Sequence, residues 1–182
     1  MGYRVGVAGL RRGWAVASVA SMFDDLELVA ACDLEPSLLD RARAELGVEE
    51  GYEDYGAFLA HDMDAVIVAT PPHLHAAHSV TALEAGHHVL CEVPMIYGET
   101  ADDVMGQARS LVSAVEKADA VFMFAENCNY WWWVGDWRER VERGELGDLT
   151  YVEAEYVHDC RSIMRYPDGR LTWRASMAPQ YY

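Results

Sequence analysis

Arg4-Val5-Gly6-Val7-Ala8-Gly9-Leu10-Arg11-Arg12-Gly13 opens on a short, mostly apolar run and breaks into a turn bounded by glycines. Such a run reads as a buried strand. Trp14 to Phe23 is helical in composition, and a second apolar strand, Leu26 to Cys32, ends on Asp33. Strand, glycine turn, helix, strand and terminal acid is the layout of a dinucleotide site. Glycine lets the backbone approach a pyrophosphate, whose charge sits on the free N–H groups at a helix start. An acid ending the second strand accepts hydrogen bonds from both ribose hydroxyls and repels a 2′-phosphate, which favours NAD over NADP.

The glycine spacing departs from G-x-G-x-x-G. Gly9 is followed by Leu10-Arg11-Arg12-Gly13, as though the middle glycine were deleted. Asp33 still follows Gly9 at close to the usual offset of about 20 residues. Arg11 and Arg12 either contact phosphate or are simply solvated. Taken alone, the stretch also fits a glycine turn leading into a core helix.

At 182 residues with 52% hydrophobic content, the chain supports one good core and is short for two complete domains. No apolar run reaches the roughly 18–20 residues of a membrane span. The N-terminus runs straight into a strand, so no signal peptide is expected, and Cys32, Cys91, Cys128 and Cys160 show no CxxC spacing. Reduced thiols in a cytoplasmic setting are the expectation. A net charge of −16 argues against nucleic acid and anionic membranes as partners. Lys117 is the single lysine. This acidic, lysine-poor balance fits either a high-salt cytoplasm or codon bias.

Strand and helix then alternate. Pro36 begins a helix that ends at Gly47, a C′ glycine. A short helix over Gly56 to Ala60 precedes the continuous apolar run Asp64 to Ala69, which stops at Thr70-Pro71-Pro72. His73 to Ala85 is helical, His88 to Glu92 is a strand, Thr100 caps another helix, and Ala120 to Ala125 is a strand. This order predicts an α/β fold: a Rossmann-type doubly wound parallel sheet covered by helices on both sides. Ligands of such sheets bind outside the carboxyl ends of the strands. Gly9–Gly13, Asp33, Thr70–His75 and Glu92–Pro94 all fall there.

The pattern changes near residue 130. Val134 to Arg143 makes a polar helix. Leu149 to His158 alternates, with Val152, Ala154, Tyr156 and His158 on one face, as in an antiparallel strand buried on one side. The expected organisation is a dinucleotide-binding domain over residues 1–127. Residues 128–182 are then a hinge and the truncated start of an α+β domain with an antiparallel sheet.

Gly9–Gly13, Ala69-Thr70-Pro71-Pro72-His73-Leu74-His75, Cys91-Glu92-Val93-Pro94 and Ala125-Glu126-Asn127 together resemble the Gfo/Idh/MocA (glucose–fructose oxidoreductase / inositol dehydrogenase) family, along the whole chain. The resemblance implies an N-terminal NAD(P)-binding Rossmann domain. It also implies a C-terminal domain whose open sheet carries part of the active site and the contacts of a homo-oligomer. Dehydrogenases of this family carry Glu-Lys-Pro, whose lysine assists proton transfer. Here the triplet is Glu92-Val93-Pro94, and valine cannot do acid–base work.

Glu-Val-Pro resembles the NAD-dependent glycosidase branch, typified by α-N-acetylgalactosaminidases. Glu126-Asn127-Cys128, Tyr156-Val157-His158-Asp159, Trp173-Arg174 and Tyr182 carry the same resemblance. That branch implies transient oxidation of a sugar hydroxyl, elimination, addition of water and return of the hydride. The resemblance places Gly9, Arg11, Arg12, Gly13, Asp33, Thr70, Pro72, His75, Glu92, Val93 and Asn127 near NAD. It places Tyr156, Arg174 and Tyr182 near a sugar-like substrate, with Tyr156 and His158 as the catalytic candidates.

Several residues carry two readings. His75 and His78 share a helical face, but no third ligand follows at metal spacing, so no metal is expected. Glu92 is a base, or a carboxylate bonded to ribose or backbone. Trp131-Trp132-Trp133 stacks on a sugar or packs a hinge. Tyr156 and His158 face a cleft or belong to the core of the second sheet. Three functions follow: oxidation of a sugar or polyol by hydride transfer to nicotinamide, redox-neutral glycoside cleavage, or NAD binding without turnover.

Overall fold

The computed structural model describes residues 2–157, 159, 161, 164–166 and 168–176. It divides into two compact units, residues 1–125 and 126–180. In the first, the strands β1 (Tyr3–Ala8), β2 (Leu26–Cys32), β3 (Glu50–Tyr52), β4 (Ala65–Val68), β5 (His88–Cys91) and β6 (Phe122–Phe124) form one sheet. Its order is β3-β2-β1-β4-β5-β6, and every pairing is parallel. The helices α1 (Gly13–Ala20), α2 (Pro36–Leu46), α3 (Tyr55–Leu59), α4 (Pro72–Glu84) and α5 (Ala101–Lys117) make the connections. This is the doubly wound order with its reversal between β1 and β4.

The local chemistry of the element ends explains their placement. Pro36 sits in the first turn of α2, where its missing N–H costs nothing, and Gly47 closes that helix at φ +70°. Asp54 caps α3 by accepting the N–H of Ala57 at 2.7 Å. Thr100 and Asp103 form a capping box at the start of α5.

Alternation along the strands sends side chains into two cores. Val5, Val7, Leu28, Ala31 and Ile67 pack with Ala17 of α1 and with Leu39 and Ala42 of α2. On the opposite face, Val29, Val66, Val68, Val89 and Cys91 pack with Phe58 of α3, Ala82 and Leu83 of α4, and Leu111 and Ala114 of α5. Gly6 lies beneath Phe58, where a Cβ would stand 2.7 Å from the ring. His87 seals the amino end of the sheet, its ring nitrogens 3.0 and 2.9 Å from the carbonyl oxygens of Met63 and Leu59.

In the second unit, Asn127–Tyr130 forms a 3₁₀ turn and α6 spans Trp132–Glu142. The alternating stretch departs from expectation. Residues 149–157 are exposed and carry no strand pairing, and His158 lies outside the described residues. A strand exists only through its ladder, and no described segment pairs with this one. Beyond the six-stranded sheet, the bridge between Arg165 and Leu171 is the antiparallel pairing among the described residues.

Candidate functional site

The loops that follow β1, β2, β4 and β5 meet at the carboxyl rim of the sheet, and each is fixed by its own local chemistry. Gly9 adopts φ +89°, which side-chain-bearing residues rarely tolerate. A Cβ there would fall 2.5 Å from the carbonyl oxygen of Ala69. Glycine therefore permits both the turn and the close approach of the β4 end. Gly9 donates its N–H to the carbonyl of Cys32 at 2.8 Å, and Gly13 donates to the carbonyl of Gly9 at 3.0 Å. A Cβ on Gly13 would lie 2.9 Å from Val7, so the second glycine brings α1 against β1. The deleted middle glycine is thus absorbed in a compact turn, with Leu10 buried beneath it. At the start of α1, the N–H of Ala15 donates to the carbonyl of Arg12 at 3.3 Å, as that of Gly13 does to Gly9.

Asp33 ends β2 and braces that turn. One carboxylate oxygen accepts the N–H of Leu10 at 2.7 Å; the other accepts the N–H of Glu35 at 3.0 Å. Each oxygen retains a further lone pair. Arg11 pairs with Glu35 at 2.6 Å, at the same corner.

Glu92 follows β5 and is almost fully buried, with 4% of its surface exposed. Its carboxylate meets the guanidinium of Arg12 at 2.9 Å and accepts the N–H of Val93 at 3.1 Å. A buried carboxylate without a partner is strongly unfavourable, and Arg12 supplies the countercharge. Arg12 itself is about half exposed. Both arginines of the turn are therefore ion-paired, an arrangement between the solvated and phosphate-bound readings. Val93 stands exposed at the rim before the cis Val93–Pro94 bond.

Thr70 and Pro72 follow β4, and Pro72 is buried in the first turn of α4. His75 is buried at 2% exposure. Its Nδ1 lies 2.7 Å from the carbonyl oxygen of Pro94 and its Nε2 lies 2.5 Å from that of Thr70. The ring is spent on backbone, so it ties the β4 loop to the β5 loop. His78 approaches the Thr70 hydroxyl at 3.2 Å through Nδ1 and stacks on Tyr55, with ring centroids 4.0 Å apart. Burial lowers the pKa of His78 from its ordinary 6.5, and the nearby His75 and His73 lower it further. Among the described residues, no group of three His, Cys, Asp or Glu stands close enough to hold a metal.

In the second unit, Glu126 accepts the N–H of Cys128 at 3.1 Å, which caps the 3₁₀ turn carrying the exposed Asn127. Trp131 and Trp133 pack on each other, with centroids 4.8 Å apart. Tyr156 is exposed and Arg174 half-buried in a short 3₁₀ turn, Trp173–Ser176. His158 and Tyr182 lie outside the described residues.

Residues 9–93 thus gather Gly9, Arg11, Arg12, Gly13, Asp33, Thr70, Pro72, His75, Glu92 and Val93 on one rim. Glu35, Tyr55 and His78 join them without having been singled out for it. Glu35 follows Asp33 by two positions, which was a usable signal. Tyr55 offered none, because it comes from a different helix.

Comparison with known proteins agrees with this geometry. Residues 3–126 match the model of the oxidoreductase family with an NAD-binding Rossmann fold. A glycosyl hydrolase family 109 protein of Shewanella pealeana is 29% identical over 94% of this chain, and one from Shewanella baltica is 30% identical. The chain spans 39% of the length of each. Among solved structures, apo scyllo-inositol dehydrogenase from Lactobacillus casei superposes with a TM-score of 0.75 at 28% identity, over 82% of this chain and 44% of that one. The WlbA dehydrogenase of Bordetella pertussis, in complex with NADH and UDP-GlcNAcA, gives 0.71 at 25% identity, over 81% and 44%. Glycine turn, braced acid, buried Glu92 and family match converge: the chain belongs to the Gfo/Idh/MocA oxidoreductase family, and residues 3–126 are its NAD-binding Rossmann fold.

Proposed function

We propose that the chain is the nucleotide-holding part of an NAD-dependent enzyme acting on a sugar or polyol hydroxyl. The observation that carries this reading is the brace between Asp33 and the Gly9–Gly13 turn, set at the topological switch point. The Gly9–Gly13 turn and the positive end of α1 face the pyrophosphate. Asp33 offers its remaining lone pairs to the ribose, and with Glu35 beside it disfavours a 2′-phosphate. That supports NAD over NADP. Thr70, Pro72, Glu92 and Val93 line the nicotinamide side, while Arg12 neutralises Glu92. His75 holds the loops and does not touch the nucleotide. NAD, when bound, supplies a hydride acceptor.

In the whole protein Asn127 joins the NAD side, and the substrate side falls to Tyr156, His158, Arg174 and Tyr182. Tyr156 and His158 remain the candidates for proton transfer. The same C-terminal sheet would carry a homo-oligomer contact.

A second reading, glycoside cleavage without net redox, is favoured by Val93. An exposed valine replaces the titratable side chain that a simple alcohol dehydrogenase of this family uses at that position. The relatives named glycosyl hydrolase family 109 point the same way. Calorimetry of the full-length protein with NAD and NADP tests the cofactor. Tight binding of NAD is expected, and no binding overturns the reading. Steady NADH formation from polyols identifies the oxidoreductase. Release of nitrophenol from a nitrophenyl glycoside without NADH identifies the glycosidase. NAD binding with neither leaves a binding module.

A further inference from the structure

Thr70 is held on three sides. Its backbone N–H end packs against Gly9, where a Cβ would stand 2.7 Å away. Its carbonyl faces Nε2 of His75. Its hydroxyl faces Nδ1 of His78 at 3.2 Å. The first two contacts use backbone atoms and do not depend on the side chain of residue 70. The third engages the side-chain hydroxyl of Thr70.

His78 is itself clamped. Tyr55 of α3 stacks on its ring at an interplanar angle of 16° and donates its hydroxyl to the His78 carbonyl at 2.9 Å. The titratable groups facing it are His73 and His75 on its own helix and Tyr55 from α3; Cys32 and Cys91 approach Tyr55 from the sheet. Both histidine neighbours disfavour a charge on His78. Burial is the main force that keeps this half-buried imidazole neutral, and the two histidines add to it.

We propose that His78 is a positioning residue for the nucleotide site: its neutral ring, clamped by Tyr55, orients the Thr70 hydroxyl at the end of β4. This rests on the reading of that rim as the NAD site. Protonation of Nδ1 turns the acceptor of the Thr70 hydroxyl proton into a donor, so the hydroxyl must turn its lone pair to the ring and loses its orientation toward the rim. NAD affinity therefore weakens on acidification, through a residue that does not touch the nucleotide.

The test is a double-mutant cycle in the full-length protein, with NAD affinity measured by calorimetry from about pH 7.5 to about pH 5.5. His78→Leu and Thr70→Val are each expected to weaken NAD about fivefold, the scale of one neutral hydrogen bond. The double variant should be no weaker than either single. His78→Asn, which keeps a polar atom near the Nδ1 position but does not titrate, is expected to restore affinity to within about twofold and to flatten the acid limb. The ring resonance of His78 should titrate below 6.5 and shift in Thr70→Val, a readout that needs no nucleotide. Additive losses, an unchanged ring titration in Thr70→Val, or an acid limb retained in His78→Asn would each overturn the proposal. If the wild type binds no NAD, the reading of the rim falls and takes this proposal with it. If it binds NAD but the cycle is additive, the proposal falls alone.

Discussion

The guanidinium of Arg12 lies 2.9 Å from the carboxylate of Glu92, an ion pair between the turn after β1 and the end of β5. The two strands are not neighbours: β4 lies between them. The pair therefore passes across the end of β4, over the part of the rim where a nucleotide is expected to cross. Glu92 is buried and Arg12 half exposed, so the carboxylate depends on its partner more than the partner depends on it.

That asymmetry is testable. Arg12→Ala should destabilise the protein by about 1–3 kcal/mol, because it leaves Glu92 buried with only the Val93 N–H as a partner. Arg12→Ala combined with Glu92→Gln should recover most of the loss, since the neutral amide has no charge to compensate. Urea denaturation of the wild type and the two variants decides the matter, and equal losses in the single and double variants would contradict it.

Gly9 and Gly47 make an internally controlled pair. Both have positive φ, at +89° and +70°. A Cβ at Gly47 meets nothing within 4 Å, whereas one at Gly9 meets the Ala69 carbonyl. Gly47→Ala is expected to cost about 1 kcal/mol of backbone strain. Gly9→Ala should cost at least about 3 kcal/mol, because β1 and β4 must move apart as well. Melting temperatures of the two variants check the ranking.

Asp33→Ala removes a brace and a ribose acceptor together. Stability should fall by about 1–3 kcal/mol, as two backbone N–H groups lose their acceptors. NAD affinity should fall by more than tenfold, and the preference for NAD over NADP should narrow. Calorimetry with both nucleotides reads this, and an unchanged preference would show that the acid does not set it.

Burial pushes the Cys32 thiol up to about 12 and the Cys91 thiol up to about 11, from an ordinary 9.0. The folded chain holds these protons more tightly than the unfolded chain. Stability should therefore decline as pH rises above about 9, where the unfolded thiols begin to ionise, and continue to decline until the folded thiols titrate. Denaturant midpoints between pH 8 and about pH 10.5 test the sign. In the native protein at pH 8, iodoacetamide should label the half-exposed Cys128 well before Cys32 or Cys91.

Much of the first unit was legible because its determinants are local. The apolar run at 65–69, Pro36, Gly47 and the Thr100–Asp103 box each act within a few residues, and each element formed within a few positions of where the pattern placed it. The rim was legible in outline for a topological reason: once strands alternate with helices, their carboxyl ends must share one edge. The pairing of Arg12 with Glu92 was not, because it depends on which strands become neighbours. Nor was the burial of His75, whose partners Thr70 and Pro94 belong to two different loops. The alternation at 149–157 has no ladder among the described residues, because period two records a strand's potential faces and a ladder also needs a second strand.

The parallel pairing of β1 with β4 sets an order for biosynthesis. Val5 aligns with Ala65, so the first strand waits for some sixty further residues before its inner edge is covered. Glu92, the countercharge for Arg12, arrives later still. During translation the emerging turn would display Arg12 uncompensated next to an open strand edge, until β4 and β5 had cleared the ribosome, whereas Glu35, the partner of Arg11, arrives before β3.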